Sequence, residues 1–530
     1  MEESLKAPRK LIYAAIFVIL TAGFSAASDI YVAQNAAGGN TGTDCADAHA
    51  ASWFNSSSNW GSSFGQIGAG TTVHLCGTFN APAGSSGYLT FHGSGNSSNP
   101  ITLLFESGAV LTAPYWSGGV VDINSNSNVV VDGGSNGVIQ ATANGTSKAN
   151  QQDNGACVIS RGGNATGVTV QNLTCSELYI DASLSDNGGE DTYGIDIWNT
   201  SSLVIQNNTL HDMKWGIRNS YGVGNSYSNL TVTGNNIYNI DHGWFGTDGS
   251  SSGSAVMSNF YIYGNTLGSM VNWDNALDNN HHDGFHLNTN SSSTRFTNFY
   301  LYNNSFNGDP GAYGNAGFFS YPASAAAESG IYVFNNVFVN TSSNHCWANG
   351  PVGLATVGSS TIVNNTFVSD ATSCKDNGVV YEDGGTGVTI KNNIMQNTAN
   401  AAVYVTPGTT VSASNYNVDY QSASWFYGGN WYGSLTSWQA LGFDLNSSTG
   451  NPQLTSVYHL TGSSSVAWQK GTTLNSICNG QPNPGLGALC LDKDGVQRPQ
   501  SGNWDIGAYE DSASGGGTPN PPTGLAASVQ

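Results

Sequence analysis

The sequence predicts an all-β solenoid, a chain wound into stacked coils of short strands, and three observations carry that expectation. Eight segments share one pattern, alternating β-branched or aromatic residues closed by Asn or Gly: VTVQNLT from 168, LVIQNNT from 203, LTVTGNN from 230, FYIYGNT from 260, FYLYNNS from 299, IYVFNNV from 331, STIVNNT from 360 and VTIKNNI from 388. The first Asn or Gly of each closing pair lies at 172, 207, 234, 264, 303, 335, 364 and 392, giving spacings of 35, 27, 30, 39, 32, 29 and 28 residues. No helical period lies between them. A repeat of that length carried by strands marks coils that bury their apolar side chains by stacking on one another. Asn suits the turn after each strand because it tolerates the left-handed conformation, and stacked amides can hydrogen-bond from coil to coil.

The elements follow in chain order. Lys6, Arg9 and Lys10 precede the apolar run LIYAAIFVILTAGF and the small residues SAAS. That run is short for a membrane span, so 1–28 reads as a secretory signal peptide cut near Ala27 or Ser28. One solenoid domain is expected over 29–511: an irregular N-terminal cap (29–70), about ten coils (about 71–420) and a C-terminal capping segment (421–511). Residues 512–530 are rich in Gly, Ser and Pro and read as a flexible tail. Export makes the even count of 8 Cys a disulfide set. Sequential pairing is the simplest: Cys45–Cys76, Cys157–Cys175, Cys346–Cys374 and Cys478–Cys490. No CxxC occurs, which argues against a Cys-rich zinc site. A net charge of −21 with only 13 Lys and Arg lacks the basic footprint of a nucleic-acid binder.

Over roughly residues 100 to 420 the chain resembles the right-handed parallel β-helix superfamily, the pectate-lyase-like fold, through its NN-x-[FIL] ladder. A second resemblance lies in HLTGSSSVAW from 459 and LDKDGVQRPQSGNWDIGAYE from 491. These are similar to the closing segment of many secreted bacterial β-helix proteins, matched at Asp492, Gly495, Arg498, Pro499, Asp505, Gly507 and Glu510. The resemblance implies a structural cap over the last coil. It also implies a polysaccharide as partner, bound in a groove along one sheet.

A second column locates a candidate site: YGIDIW from 193, WGIRNS from 215, HGWFGT from 242, DGFHLN from 283, AGFFSY from 316 and VGLATV from 352. Aligned on Gly, it places Ile195, Ile217, Trp244, Phe285, Phe318 and Leu354 in one inward register. Asp196, Arg218, Phe245, His286, Phe319 and Ala355 then face out, because strand side chains alternate. Asp196 should touch Arg218, and His286 should be exposed. Lys214, Asp241 and His282 lie two residues before the Gly, and Trp215, His242 and Asp283 one before. Four successive coils thus carry the ionisable groups of a chain that is only 9% charged.

Asp196, Lys214, Arg218, Asp241, His282, Asp283 and His286 are the catalytic candidates. Trp198, Trp215, His242, Trp244, Phe245, Trp273 and Phe319 are the substrate-binding candidates, since aromatic faces stack on sugar rings. Two reactions compete. Elimination needs a cation beside a uronate carboxylate, supplied by Lys214 and Arg218, and a base, His286 or His282. Hydrolysis needs two carboxyl groups, for which Asp241 and Asp283 are the best pair. The NTD…DD…GHG…RIK series of polygalacturonases is missing, and no lyase signature matches residue by residue, so the resemblance does not choose the reaction. No metal site is expected, although His281, His282, Asp283, His286 and Asp241 could ligate zinc or iron, and Glu190, Asp191 and Asp196 could ligate calcium. A non-catalytic, adhesin-like surface solenoid is the opposing reading. A secreted or cell-surface monomer is expected, with no membrane contact after signal cleavage.

Overall fold

A computed structural model of the protein describes residues 29–143, 154–179, 191–249, 252–274 and 281–511. The expected signal peptide, Glu190 and the tail lie outside them. The fold is a right-handed parallel β-helix. Each coil gives one strand to each of three parallel sheets, as Leu203–Gln206, Thr209–His211 and Trp215–Ser220 do. Among the described residues the second sheet has 12 strands, one per coil, which makes 12 coils rather than about ten. The coils that begin at Thr72, Ile101 and Val129 carry no closing Asn pair, which hid them from the repeat pattern. Side chains alternate through the core stretch of the first sheet: Leu203 and Ile205 point in and stack on Leu230 and Val232. The parallel sheet begins earlier than the expected first coil, because Asp29–Ala33 pairs with Thr72–Cys76.

The Asn column divides into two jobs. The first residue of each pair takes the left-handed conformation, as at Asn207 (φ 56°), Asn303 (φ 56°) and Asn364 (φ 53°), with Gly234 and Gly264 (both φ 66°) filling the same place. The second residue forms the ladder. Asn208, Asn235, Asn265, Asn304, Asn336, Asn365 and Asn393 are buried, and each donates from Nδ2 to Oδ1 of the next at 2.9–3.2 Å, ending on Asn417. A buried amide needs partners, and the next coil supplies them.

All four sequential disulfides are formed. Of the expected capping segment (421–511), the earlier part covers the last coil, whereas the stretch from 459 that carries the family resemblance does not. Arg498, fully buried, bonds Glu510 (2.9 Å) and the Asn335 side chain (3.0 Å). Asn364 donates to the carbonyls of Asp505 and Gly507, Asn392 donates to Thr472, and Lys493 bonds the Asn303 carbonyl. That stretch is a strap along the flank, held by side chains and carbonyls of the left-handed turn residues. The last coil is covered instead by Leu435–Gln439, whose buried Trp438 bonds Asp444, itself the acceptor from Asn417.

Candidate functional site

The third sheet carries the site, and glycine sets its geometry. Strands Tyr193–Trp198, Trp215–Ser220, His242–Thr247 and His282–Thr289 pair in register from Ile195 through Ile217 and Trp244 to Phe285. The preceding Gly of each strand turns toward the core. A Cβ on Gly194, Gly216, Gly243 or Gly284 would meet the carbonyl of the next glycine at 2.3–2.6 Å. Only glycine fits that approach. The bend puts Tyr193, Trp215, His242 and Asp283 in one paired row. Strict alternation would have sent them inward with Ile195 and Phe285. Instead Arg218 lies over the Tyr193 ring, and His242 and Asp283 meet His286 of the outward row.

The outward row runs Asp196, Arg218, Phe245, His286 and Phe319 in direct pairing. Beyond it the register differs from the Gly alignment: Phe318 pairs with Val352 and Phe319 with Gly353, so Leu354 and Ala355 sit two residues farther along. A two-residue offset keeps every side chain on its face.

Asp196 is fully buried in a cationic clamp. Arg218 bonds it at both oxygens (2.8 and 2.7 Å), Arg161 bonds Oδ2 and Trp198 donates to Oδ1 (2.8 Å). Arg218 also lies 3.8 Å above the Tyr193 ring and donates to its hydroxyl. Arg161 was not foreseen, because it stands one coil earlier, outside the Gly-aligned column. Both Asp196 oxygens are thus held by guanidinium groups, which removes it as a calcium ligand. Lys214 is buried with Nζ 3.6 Å from Asp191, so it is not available to neutralise a substrate carboxylate.

The histidines form a second knot. His242 Nδ1 lies 2.9 Å from Asp241 Oδ2, and Asp241 Oδ1 lies 2.5 Å from His282 Nδ1. His282 Nε2 reaches Asp274 Oδ1 at 3.0 Å. Asp283 Oδ1 accepts from Asn315 Nδ2 (2.9 Å) and the Ala316 amide (3.1 Å). Its Oδ2 faces His242, His281 and His286. Burial opposes charge on Asp241 and Asp283, but the surrounding histidines outweigh it and hold both carboxyls below the usual range. Burial likewise disfavours charge on His242 and His282, yet the carboxylates beside them raise each to about 9. At His286 burial prevails and the pKa falls. Among the described residues, His242, His281, Asp283 and His286 form a group able to hold a metal ion.

Several expectations change here. His286 is 8% exposed rather than open, because Phe245, Phe319, His242 and His281 close around it. Asp241, His282 and Asp283 are fully buried rather than at the rim. Trp244 and Trp273 are core residues; Trp244 belongs to the inward register, and Trp273 packs on Tyr179 and donates to the Asn239 carbonyl. Trp198, Trp215, Phe245 and Phe319 are half-buried on the outer face, and the exposed Tyr321 extends their row. Half-exposed His281 opens onto a cleft of about 350 Å³ lined also by Asn315, Phe319, Tyr321, Glu382 and Asp383. Burial and then Asp383 raise the Glu382 pKa. Nothing pointed to Glu382 in the sequence, since YEDGG carries no Gly-aligned column.

No family model matches the chain, and no curated protein matches it. Among solved structures it is similar to the pectate lyase Pel9A, at 15% identity over 92% of this chain and 98% of that one, with a TM-score of 0.35. It is also similar to the family 28 exopolygalacturonase of Yersinia enterocolitica, at 13% identity over 59% and 72% of the two chains, with a TM-score of 0.33.

Proposed function

We propose that this is an exported, monomeric protein that acts on an acidic polysaccharide lying across the outer face of the third sheet, by elimination rather than hydrolysis. One observation carries the reading. A row of partly exposed rings, from Trp215 through Phe245 and Phe319 to Tyr321, leads into a cleft with an imidazole cluster on one side and Glu382 on the other. Rings of this kind stack on sugars. His281, half exposed at the mouth of the imidazole cluster, is placed to meet a uronate carboxylate. Glu382, with its raised proton affinity, accepts the neighbouring proton. Hydrolysis by Asp241 and Asp283 loses support, because both are sealed and bonded within the protein. Export is supported by the leader-like start and four disulfides.

The test is a panel of uronate-containing polysaccharides, read by ultraviolet absorbance for unsaturated ends and by reducing ends for hydrolysis. Glu382→Gln is expected to lower turnover at least ~100-fold without unfolding. Reducing ends without absorbance would replace elimination by hydrolysis. A second reading, binding without turnover, is favoured by the engagement of Asp196 and Asp241 at both carboxylate oxygens within the protein. It gains if no product forms and Tyr321→Ala abolishes retention on the polysaccharide.

A further inference from the structure

We propose that His242, His281, Asp283 and His286 bind one divalent first-row transition ion of the zinc class. Asp283 Oδ2 lies 3.5 Å from His242 Nε2, 3.1 Å from His281 Nε2 and 3.2 Å from His286 Nδ1. The four ligand atoms all fall within 4.8 Å of one another. Even so, Asp283 Oδ2 and His286 Nδ1 are buried and form no hydrogen bond. An ion-pair network would aim N–H bonds at the oxygen. Here the atoms crowd together without bonding one another, and a cation among them satisfies all four. Ligands held tetrahedrally at ~2.1 Å stand about 3.4 Å apart, within the span of those three distances.

The surroundings orient the ligands. Asp241 takes His242 Nδ1, leaving Nε2 turned to the centre. Asn315 and the Ala316 amide take Asp283 Oδ1, leaving Oδ2 turned to the centre. Carboxylate–histidine and amide–carboxylate contacts of this kind fix metal ligands in place. His282, between Asp241 and Asp274, belongs to this outer support and is not a ligand. Three imidazoles and one carboxylate select a borderline ion over calcium or magnesium, which take oxygen ligands. Binding displaces ring protons, as at any histidine site. The site opens at half-exposed His281 onto the cleft, so the inference deepens the proposed function: the ion would face the substrate carboxylate.

The test needs no polysaccharide. The full chain, stripped by a chelator, is titrated with Co(II), read by its visible absorption bands, and the cobalt is displaced with Zn(II). One ion per chain is expected. Affinity should fall about 10- to 100-fold or more in His281→Ala and in His286→Ala. His281 is half exposed, so its variant folds, and circular dichroism checks this. Glu382→Gln should bind cobalt as the wild type does. Absence of cobalt bands, or wild-type affinity in His281→Ala, overturns the proposal. A chain that binds cobalt but cleaves no polysaccharide keeps the metal site and loses the proposed function; cleavage without cobalt binding does the reverse.

Discussion

Replacing Asn304 by Ala, beside a replacement of Asn303 by Gly, separates the two jobs of the Asn column. Asn304 makes four side-chain hydrogen bonds. Nδ2 donates to the Ile262 carbonyl (2.9 Å) and Asn336 Oδ1 (3.1 Å); Oδ1 accepts from the Asn265 amide and Asn265 Nδ2, both at 3.0 Å. At about 1 kcal/mol each, their loss costs about 4 kcal/mol. The stranded Asn265 amide adds about 1–3 kcal/mol, since no water reaches it. Asn265 Nδ2 keeps the Val232 carbonyl, which limits the damage to one coil interface. Asn303, one residue earlier, has φ 56° and a side-chain oxygen without a hydrogen-bond partner. Glycine adopts that conformation freely and stands in the same place at 234 and 264, so Asn303→Gly should stay within about 0.5 kcal/mol of wild type. Guanidinium unfolding followed by tryptophan fluorescence measures both. Hydrogen exchange of the 260–270 stretch shows whether the loss is local. Equal losses in the two variants, or a loss under about 1 kcal/mol in Asn304→Ala, would refute the division of roles.

Arg218→Ala strips two hydrogen bonds from fully buried Asp196 and leaves Arg161 and Trp198 to hold it, so stability should fall by about 2–4 kcal/mol. Arg218→Lys should recover less than half of that, because an ammonium cannot reproduce the fork; full recovery would show that charge alone matters. Buried Glu328 has its pKa raised to about 8, chiefly by burial, against the partial relief of the Ser320 hydroxyl. Between about pH 4.5 and 8 the folded state keeps a proton that the unfolded state has lost, so stability falls as pH rises through that window and levels off above it. The slope approaches ~1.4 kcal/mol per pH unit. Denaturation of wild type and Glu328→Gln across this range isolates the effect, and parallel pH profiles would contradict it.

The fold was legible because solenoid architecture writes itself as a period, and Asn207, Asn303 and Asn335 mark that period directly. The coils before 168 turn without an Asn pair, so their number was underestimated. The outward row was also legible: Asp196, Arg218, Phe245, His286 and Phe319 pair as alternation requires. The reversal at the glycine was not, because a bend that depends on the carbonyl of the next coil leaves no mark in one strand's alternation. Burial was misread for a related reason. Alternation tells which face a side chain takes, and says nothing of what lies above that face. Arg161 and Glu382 belong to the site through stacking of coils that share no motif with the histidines.

The strap along the flank changes how the chain must assemble. A solenoid joins each coil only to its neighbours, so opening can begin at any weak interface and spread. Arg498, Lys493 and the DIGAYE stretch fasten to turns at Asn303, Asn335, Asn364 and Asn392, which belong to four consecutive coils. Those coils therefore come apart together or not at all, as staves held by a hoop. The hoop is made last, from residues far downstream of the coils it binds. During synthesis the coils beside the candidate site must stand without the hoop, on their stacked core, Asn ladder and the Cys346–Cys374 disulfide, and the finished chain locks them afterwards.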